Sequence, residues 1–168
     1  SSVTKVLQGP VQGSYASENL LVPQGSGHGL PHFRDVSFTG HFPIATVSLS
    51  DSDLPLDVSL EAFNPFIPLN DKDSSIPVAI LLYRIKNVGK EGISATIFGN
   101  LSNIVGYPES QGDVNEIRES DGVKGLYLTT RKVDPESPQY GSMAIATTWR
   151  NSDVWPRWKD PKMGTNIG

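Results

Sequence analysis

The fold class this sequence predicts is an antiparallel β-sandwich with little helix, on three observations. First, Leu54, Leu56, Val58, Leu60 and Ala62 alternate with Pro55, Asp57, Ser59 and Glu61, the period of two expected where one face of a strand is buried. Second, the remaining apolar stretches, near residues 77–87, 93–101, 125–130 and 142–149, are short runs bounded by glycine, proline or polar turn residues. Third, no segment carries the three- and four-residue apolar spacing of a long amphipathic helix.

Length and composition bound what such a fold can do. The 168 residues suit one domain, spanning 1–168. A domain of this size buries roughly 68–70% of the surface its unfolded chain exposes, so a core can form without staples. With 14 Lys and Arg against 18 Asp and Glu and a pI near 5.3, there is no basic field to attract phosphate backbones or anionic headgroups, which excludes nucleic acid as a partner class. The absence of cysteine excludes disulfides and thiol catalysis and leaves the compartment open. No apolar run approaches the roughly 18 residues of a membrane-crossing helix. No basic-then-apolar leader opens the chain either, so neither a transmembrane segment nor a retained signal peptide is expected.

Residues 1–32 and 150–168 read as loop-rich, apart from a short strand over Val3 to Leu7. Gln24 to Gly29 is glycine-rich but is followed by Leu30-Pro31-His32-Phe33, which starts no helix; a turn-rich loop fits better than a phosphate cradle. Phe42 to Ser50 reads as a strand that turns at Asp51-Ser52-Asp53 into the alternating strand. Asp51, Asp53 and Asp57 lack the glycine and the bidentate glutamate of a calcium loop, so the reading is a hairpin turn with solvated carboxylates.

The stretch Leu60-Glu61-Ala62-Phe63-Asn64-Pro65-Phe66-Ile67-Pro68-Leu69 organises the rest. Pro65 and Pro68 remove two backbone donors and stop a ladder from running through, while Phe63, Phe66, Ile67 and Leu69 are too apolar for an ordinary loop. The expectation is a structural corner built on Phe63, Pro65, Phe66 and Pro68, with both phenylalanines buried where the chain crosses between two sheets.

Asn70 to Ser75 then forms a polar turn, and the run from Pro77 to Asn87 reads as a strand buried on both faces. A glycine-bounded loop, Val88 to Gly92, leads into a strand from Ile93 to Leu101. Asn100-Leu101-Ser102 matches a glycan acceptor triplet, a match that arises readily by chance. Residues 106–121 are polar and weakly patterned, with 115–119 readable as a short helical turn or a sheet edge. Two further strands, 125–130 and 142–149, are joined by a loop over 133–141. Trp149, Trp155 and Trp158 close the chain as aromatic surface meant to be covered, a candidate domain interface.

No residue reads as catalytic, metal-binding or cofactor-binding, and no cofactor is expected. Glu61 falls on the face opposite Leu60 and Ala62, where a structural hydrogen bond or solvent is the expected surrounding. His28, His32 and His41 have spacings, with Pro31 between, that exclude one helical metal face.

In order along the chain, Phe33-Arg34-Asp35-Val36, Phe38-Thr39-Gly40-His41-Phe42-Pro43-Ile44-Ala45, Leu54-Pro55, the corner 60–69, Ile76-Pro77-Val78-Ala79, Lys86-Asn87 and Tyr140 to Thr147 together resemble the N-terminal domain of glycoside hydrolase family 116. That family holds the bile-acid β-glucosidases, or non-lysosomal glucosylceramidases, and their bacterial β-glucosidase relatives. The clearest resemblance covers 33–147. It implies that the chain is a piece of the N-terminal β-sandwich of a larger two-domain enzyme. In such an enzyme a C-terminal barrel of paired helices carries a glutamate nucleophile and an aspartate acid/base that cleave a β-glucoside with retention.

The chain's expected partner is therefore its own C-terminal helical catalytic domain, with any β-glucoside or glycolipid substrate met through that domain. The chain alone is expected to be inactive. The alternative is a free-standing carbohydrate- or protein-binding sandwich with Tyr107, Trp149, Trp155 or Trp158 as a stacking platform.

Overall fold

A computed structural model describes residues 2–10, 30–108, 112–159 and 166–167; the glycine-rich stretch with His28 lies outside them. The described chain is all-β and antiparallel, as the sequence predicts, with a single helix of four residues. It divides into two compact units, Ser1–Ala95 and Thr96–Gly168.

The first unit is a four-stranded meander, β1 (Asp35–His41), β2 (Ile44–Asp51), β3 (Leu54–Phe63) and β4 (Ile80–Asn87), in that spatial order. Two-residue turns at Phe42-Pro43 and Ser52-Asp53 join the first three strands. The register aligns Ser37, Ser48, Ser59 and Arg84 in one row across the sheet, and Val36, Leu49, Val58 and Ile85 in the next. Since side chains alternate between faces, one face is polar and the other apolar.

The apolar face is covered at one end by the N-terminal segment and the residues leading into β1. Phe33, Leu49 and Val58 form the buried core, with Leu7, Val47 and Leu54 packed against it. The Val6 amide donates to Pro31 O at 2.9 Å and the Phe33 amide to Gln8 O at 3.0 Å, so the segment expected as a strand over Val3 to Leu7 makes one parallel bridge, Val6 to His32. Gly9 passes so close to β1 that an added Cβ would stand 2.2 Å from Val36 Cγ1; only glycine fits that approach.

Several expectations are corrected. The strand expected from Phe42 begins at Ile44 because Phe42-Pro43 forms the turn, and β1 adds a strand that was not foreseen. The corner after Phe63 does not cross between sheets: it runs through α1 (Asp71–Ser74), capped by Asn70, and returns as β4 beside β3. Phe63 is half-buried, and Phe66 is 51% exposed rather than buried. The physical reason is that polar side chains tie the loop's backbone to itself at the surface, so its shape does not depend on burying the phenylalanines. The Asn64 amide group donates to Val78 O at 2.7 Å, and Ser74 Oγ accepts from the Ile67 amide at 2.9 Å. β4 is the outer strand, with seven of its eight positions exposed instead of both faces buried. The strand expected from Ile93 to Leu101 is irregular, its β pattern interrupted by Gly99.

The second unit holds a three-stranded antiparallel sheet, β5 (Asp113–Ser120), β6 (Val123–Thr130) and β7 (Met143–Thr147). The edge alternative for 115–119 is therefore the observed one. Asp121 and Gly122 link β5 to β6 with positive φ at both residues, 51° and 78°, the two-residue turn whose twist matches that of a hairpin. Leu128 on the central strand is 1% exposed. Asn103 ties the preceding loop down: its amide group donates to Thr129 O at 2.9 Å and Asn115 Oδ1 at 3.0 Å, and its Oδ1 accepts from the Val105 amide at 3.1 Å. A short pair, β8 (Trp158–Lys159) and β9 (Asn166–Ile167), ends the described chain.

Candidate functional site

The most elaborated polar chemistry lies at the β2–β3 turn. Because the N-terminal segment folds back over the apolar face, Lys5 arrives beside Asp51, 46 residues away in sequence. Its ammonium donates to Asp51 Oδ2. The Arg34 amide donates to the same oxygen at 3.2 Å, and the Asp53 amide to Oδ1 at 3.0 Å. The Arg34 guanidinium pairs with Asp53 and reaches Ser52 Oγ at 2.9 Å.

The Asp51 side chain has no exposed surface and that of Lys5 is 11% exposed, which corrects the expectation of a solvated carboxylate for Asp51; Asp53 and Asp57 are exposed as expected. The Lys5 hydrogen bond, followed by that of the Asp53 amide, holds the Asp51 carboxyl below the usual carboxylate range, against the opposing effect of burial.

A general acid in glycoside cleavage needs a carboxyl pushed upward so that it keeps a proton to deliver. Asp51 is moved the other way, with both oxygens engaged. Its chemistry is that of a clamp fastening the N-terminal segment to the hairpin. Glu61, on the polar face, pairs with Arg84, in line with a structural part. Glu116 pairs with Arg118 at 3.0 Å and lies 3.8 Å from Arg131, while Arg118 sits 3.5 Å over the Tyr127 ring. Among the described residues, no three His, Cys, Asp or Glu side chains gather as a metal site. His32 Nδ1 is bonded to Gly9 O at 3.0 Å and His41 is exposed at the end of β1.

Two concavities mark the first unit. One, of about 790 Å³, spreads over the polar face and is lined by Arg34, Asp35, Ser48, Asp57, Arg84 and Lys86 among others. It holds no aromatic ring on which a sugar would stack. The other, of about 410 Å³, lies at the corner between Phe42, Ile44 and Phe63. Beside it the Phe42 and Phe66 rings meet edge to face, 4.9 Å apart at 72°. In the second unit Trp149 and Trp155 are 71% and 58% exposed, and Tyr107 is 70% exposed; Trp158 lies in β8.

Lys5 and Arg34 escaped the sequence reading because nothing local links them to Asp51. Phe42 escaped it because it was assigned to a strand.

Two antiparallel sheets with almost no helix define the class: an all-β domain. Within that class, the family described as beta-glucosidase 2, glycosyl-hydrolase family 116 N-term, matches residues 1–167, and the chain belongs to it. The match extends through the loop-rich ends beyond the 33–147 core of the resemblance. No curated protein matches the chain.

Proposed function

We propose that this chain is the non-catalytic N-terminal domain of a retaining, β-glucosidase- or glucosylceramidase-like hydrolase, packing on and supporting a helical catalytic domain that carries both catalytic carboxyls. The observation that carries the reading is the state of Asp51. It is the buried acid of the described chain, and it is fixed in its ionised form by Lys5 and two backbone amides, whereas retaining hydrolysis needs two carboxyls about 5–5.5 Å apart, one of them able to hold a proton. Sugar handling then falls to the partner domain, and the outward aromatic and apolar side chains of this chain serve contact with it. The exposed Trp149 favours a second reading, direct stacking on a sugar ring in a free-standing module.

The experiment compares the two-domain polypeptide with a version lacking this chain. The expected result is a helical remainder that becomes insoluble or melts well below the intact polypeptide. An equally stable remainder would overturn the supporting role. Saturable binding of glucosides by the chain alone, lost in Trp149→Ala, would favour the module.

A further inference from the structure

The first sheet ends at β4, and the backbone of that outer strand can be followed pair by pair. β3 and β4 keep one unbroken register from Leu56–Asn87 to Phe63–Ile80. One pair further on, the Val88 amide donates to Pro55 O at 3.0 Å, so Pro55 and Val88 form a hydrogen-bonded pair of the ladder. Such pairs alternate with non-bonded ones. Ile80, Leu82, Arg84 and Lys86 therefore turn their amides and carbonyls toward β3, while Leu81, Tyr83 and Ile85 turn both groups away from it. Among the described residues, no backbone group of these three meets a partner beyond β4.

An open edge of this kind is a template for another strand, and soluble sheets blunt it with proline, a bulge or shortness. β4 has none of these: it runs for eight residues without proline and without a shift of register against β3. On the face that continues the core it presents Leu81, Tyr83 and Ile85, which are 54%, 38% and 39% exposed. β1, at the opposite edge of the sheet, has the N-terminal segment against Val36.

We propose that β4 is a dimerisation strand. It pairs antiparallel with β4 of a second copy of this chain about a two-fold axis at Tyr83, joining two four-stranded sheets into one. The register follows from the groups that are free. Outward residues bond only outward residues, so Tyr83 faces Tyr83 of the second copy and Leu81 faces its Ile85, each pair exchanging both backbone bonds. Aromatic and branched aliphatic side chains then meet across the axis on the apolar face. On the polar face Arg84 falls opposite Leu82 and Lys86 opposite Ile80, which keeps the cations of the strand apart. A slip of two residues in one direction would set Arg84 against Arg84, a like-charge pair that disfavours it. A slip in the other direction leaves Ile85 without a partner in β4. The strand thus supplies its own complement in the single register that uses all three outward residues, and the isologous contact closes on itself.

Sedimentation of the chain across the micromolar range, with amide exchange read residue by residue at both ends of that range, tests the pairing. The chain is expected to pass from monomer to dimer. In the dimer the amides of Leu81, Tyr83 and Ile85 should exchange about tenfold slower, while those of Leu82, Arg84 and Lys86, already bonded to β3, change little. Tyr83→Lys and Tyr83→Glu each set like charges opposite one another across the axis and are expected to be monomeric; mixed in equal amounts, the two variants are expected to pair again. A chain that stays monomeric, a dimer that both single variants retain, or variants that do not associate on mixing would overturn the proposal. Growth into species larger than a dimer overturns the two-fold register in favour of β4 pairing with β1 of the next copy. If the Tyr83 variants fail to fold by circular dichroism, the exchange pattern of the unaltered chain decides: protection that does not alternate along β4 rules the pairing out.

Discussion

Truncating Leu128 to alanine, and Leu69 to alanine beside it, compares one residue type in two opposite surroundings. Leu128 lies on the central strand of the second sheet, opposite Asn115 on β5 and Met143 on β7, and is 1% exposed. Removing its isobutyl group leaves a void between strands that are held on both sides and can collapse only in part. Leucine-to-alanine changes of this kind cost ~2–5 kcal/mol, and the central position argues for a value near 3. Leu69 is fully exposed, so its truncation in this chain should stay within about 0.5 kcal/mol.

All three tryptophans lie in the unit that holds Leu128, which makes their fluorescence in a guanidinium titration the suitable assay. The midpoint should fall markedly for Leu128→Ala at unchanged slope, and not for Leu69→Ala, whose unit is followed in the same titration by far-ultraviolet circular dichroism. Equal midpoints for the two variants would refute the placement of the core.

Asp51 carries a pH prediction. Its folded carboxyl titrates below the usual range, so the stability it contributes is complete above roughly pH 4, the unfolded value, and is lost as pH falls through the lower folded value. Asp51→Asn should therefore be less stable at neutral pH and show a shallower acid limb in a melting profile; an identical acid limb would remove Asp51 from the account. Gly9→Ala should loosen the N-terminal segment through the collision with Val36, read as faster amide exchange at Val6 and Phe33, with unchanged exchange counting against the close approach. Phe66→Ala in the isolated chain should cost about 1–2 kcal/mol, half-burial plus an edge-to-face contact, rather than the ~3–5 kcal/mol of a buried phenylalanine; a loss in the higher range would restore the buried corner.

How much of this was legible depended on range. β3 was readable because its alternation runs unbroken from Leu54 to Ala62, and β6 and β7 because they are short, largely apolar runs set between turn residues. The Asp121-Gly122 turn was also written in the sequence, as an Asp-Gly pair, and would have marked β5 as the first arm of a hairpin. The position of the corner is legible but its orientation is not, since apolar composition alone does not distinguish a side chain facing the core from one left exposed. The same ambiguity affected β4, whose apolar run lies on an outer strand. The Lys5–Asp51 clamp was not legible at all: it exists only once the N-terminal segment crosses the sheet, and no local pattern encodes a contact 46 residues apart.

Turnover by the chain itself tests the central claim most directly. Purified chain, incubated with a chromogenic aryl β-glucoside at neutral and mildly acidic pH, is predicted to release no aglycone above the rate of a heat-denatured sample, because the proposed reading assigns both catalytic carboxyls to another domain. Sustained release that disappears when one particular carboxylate of this chain is replaced by its amide would contradict the account.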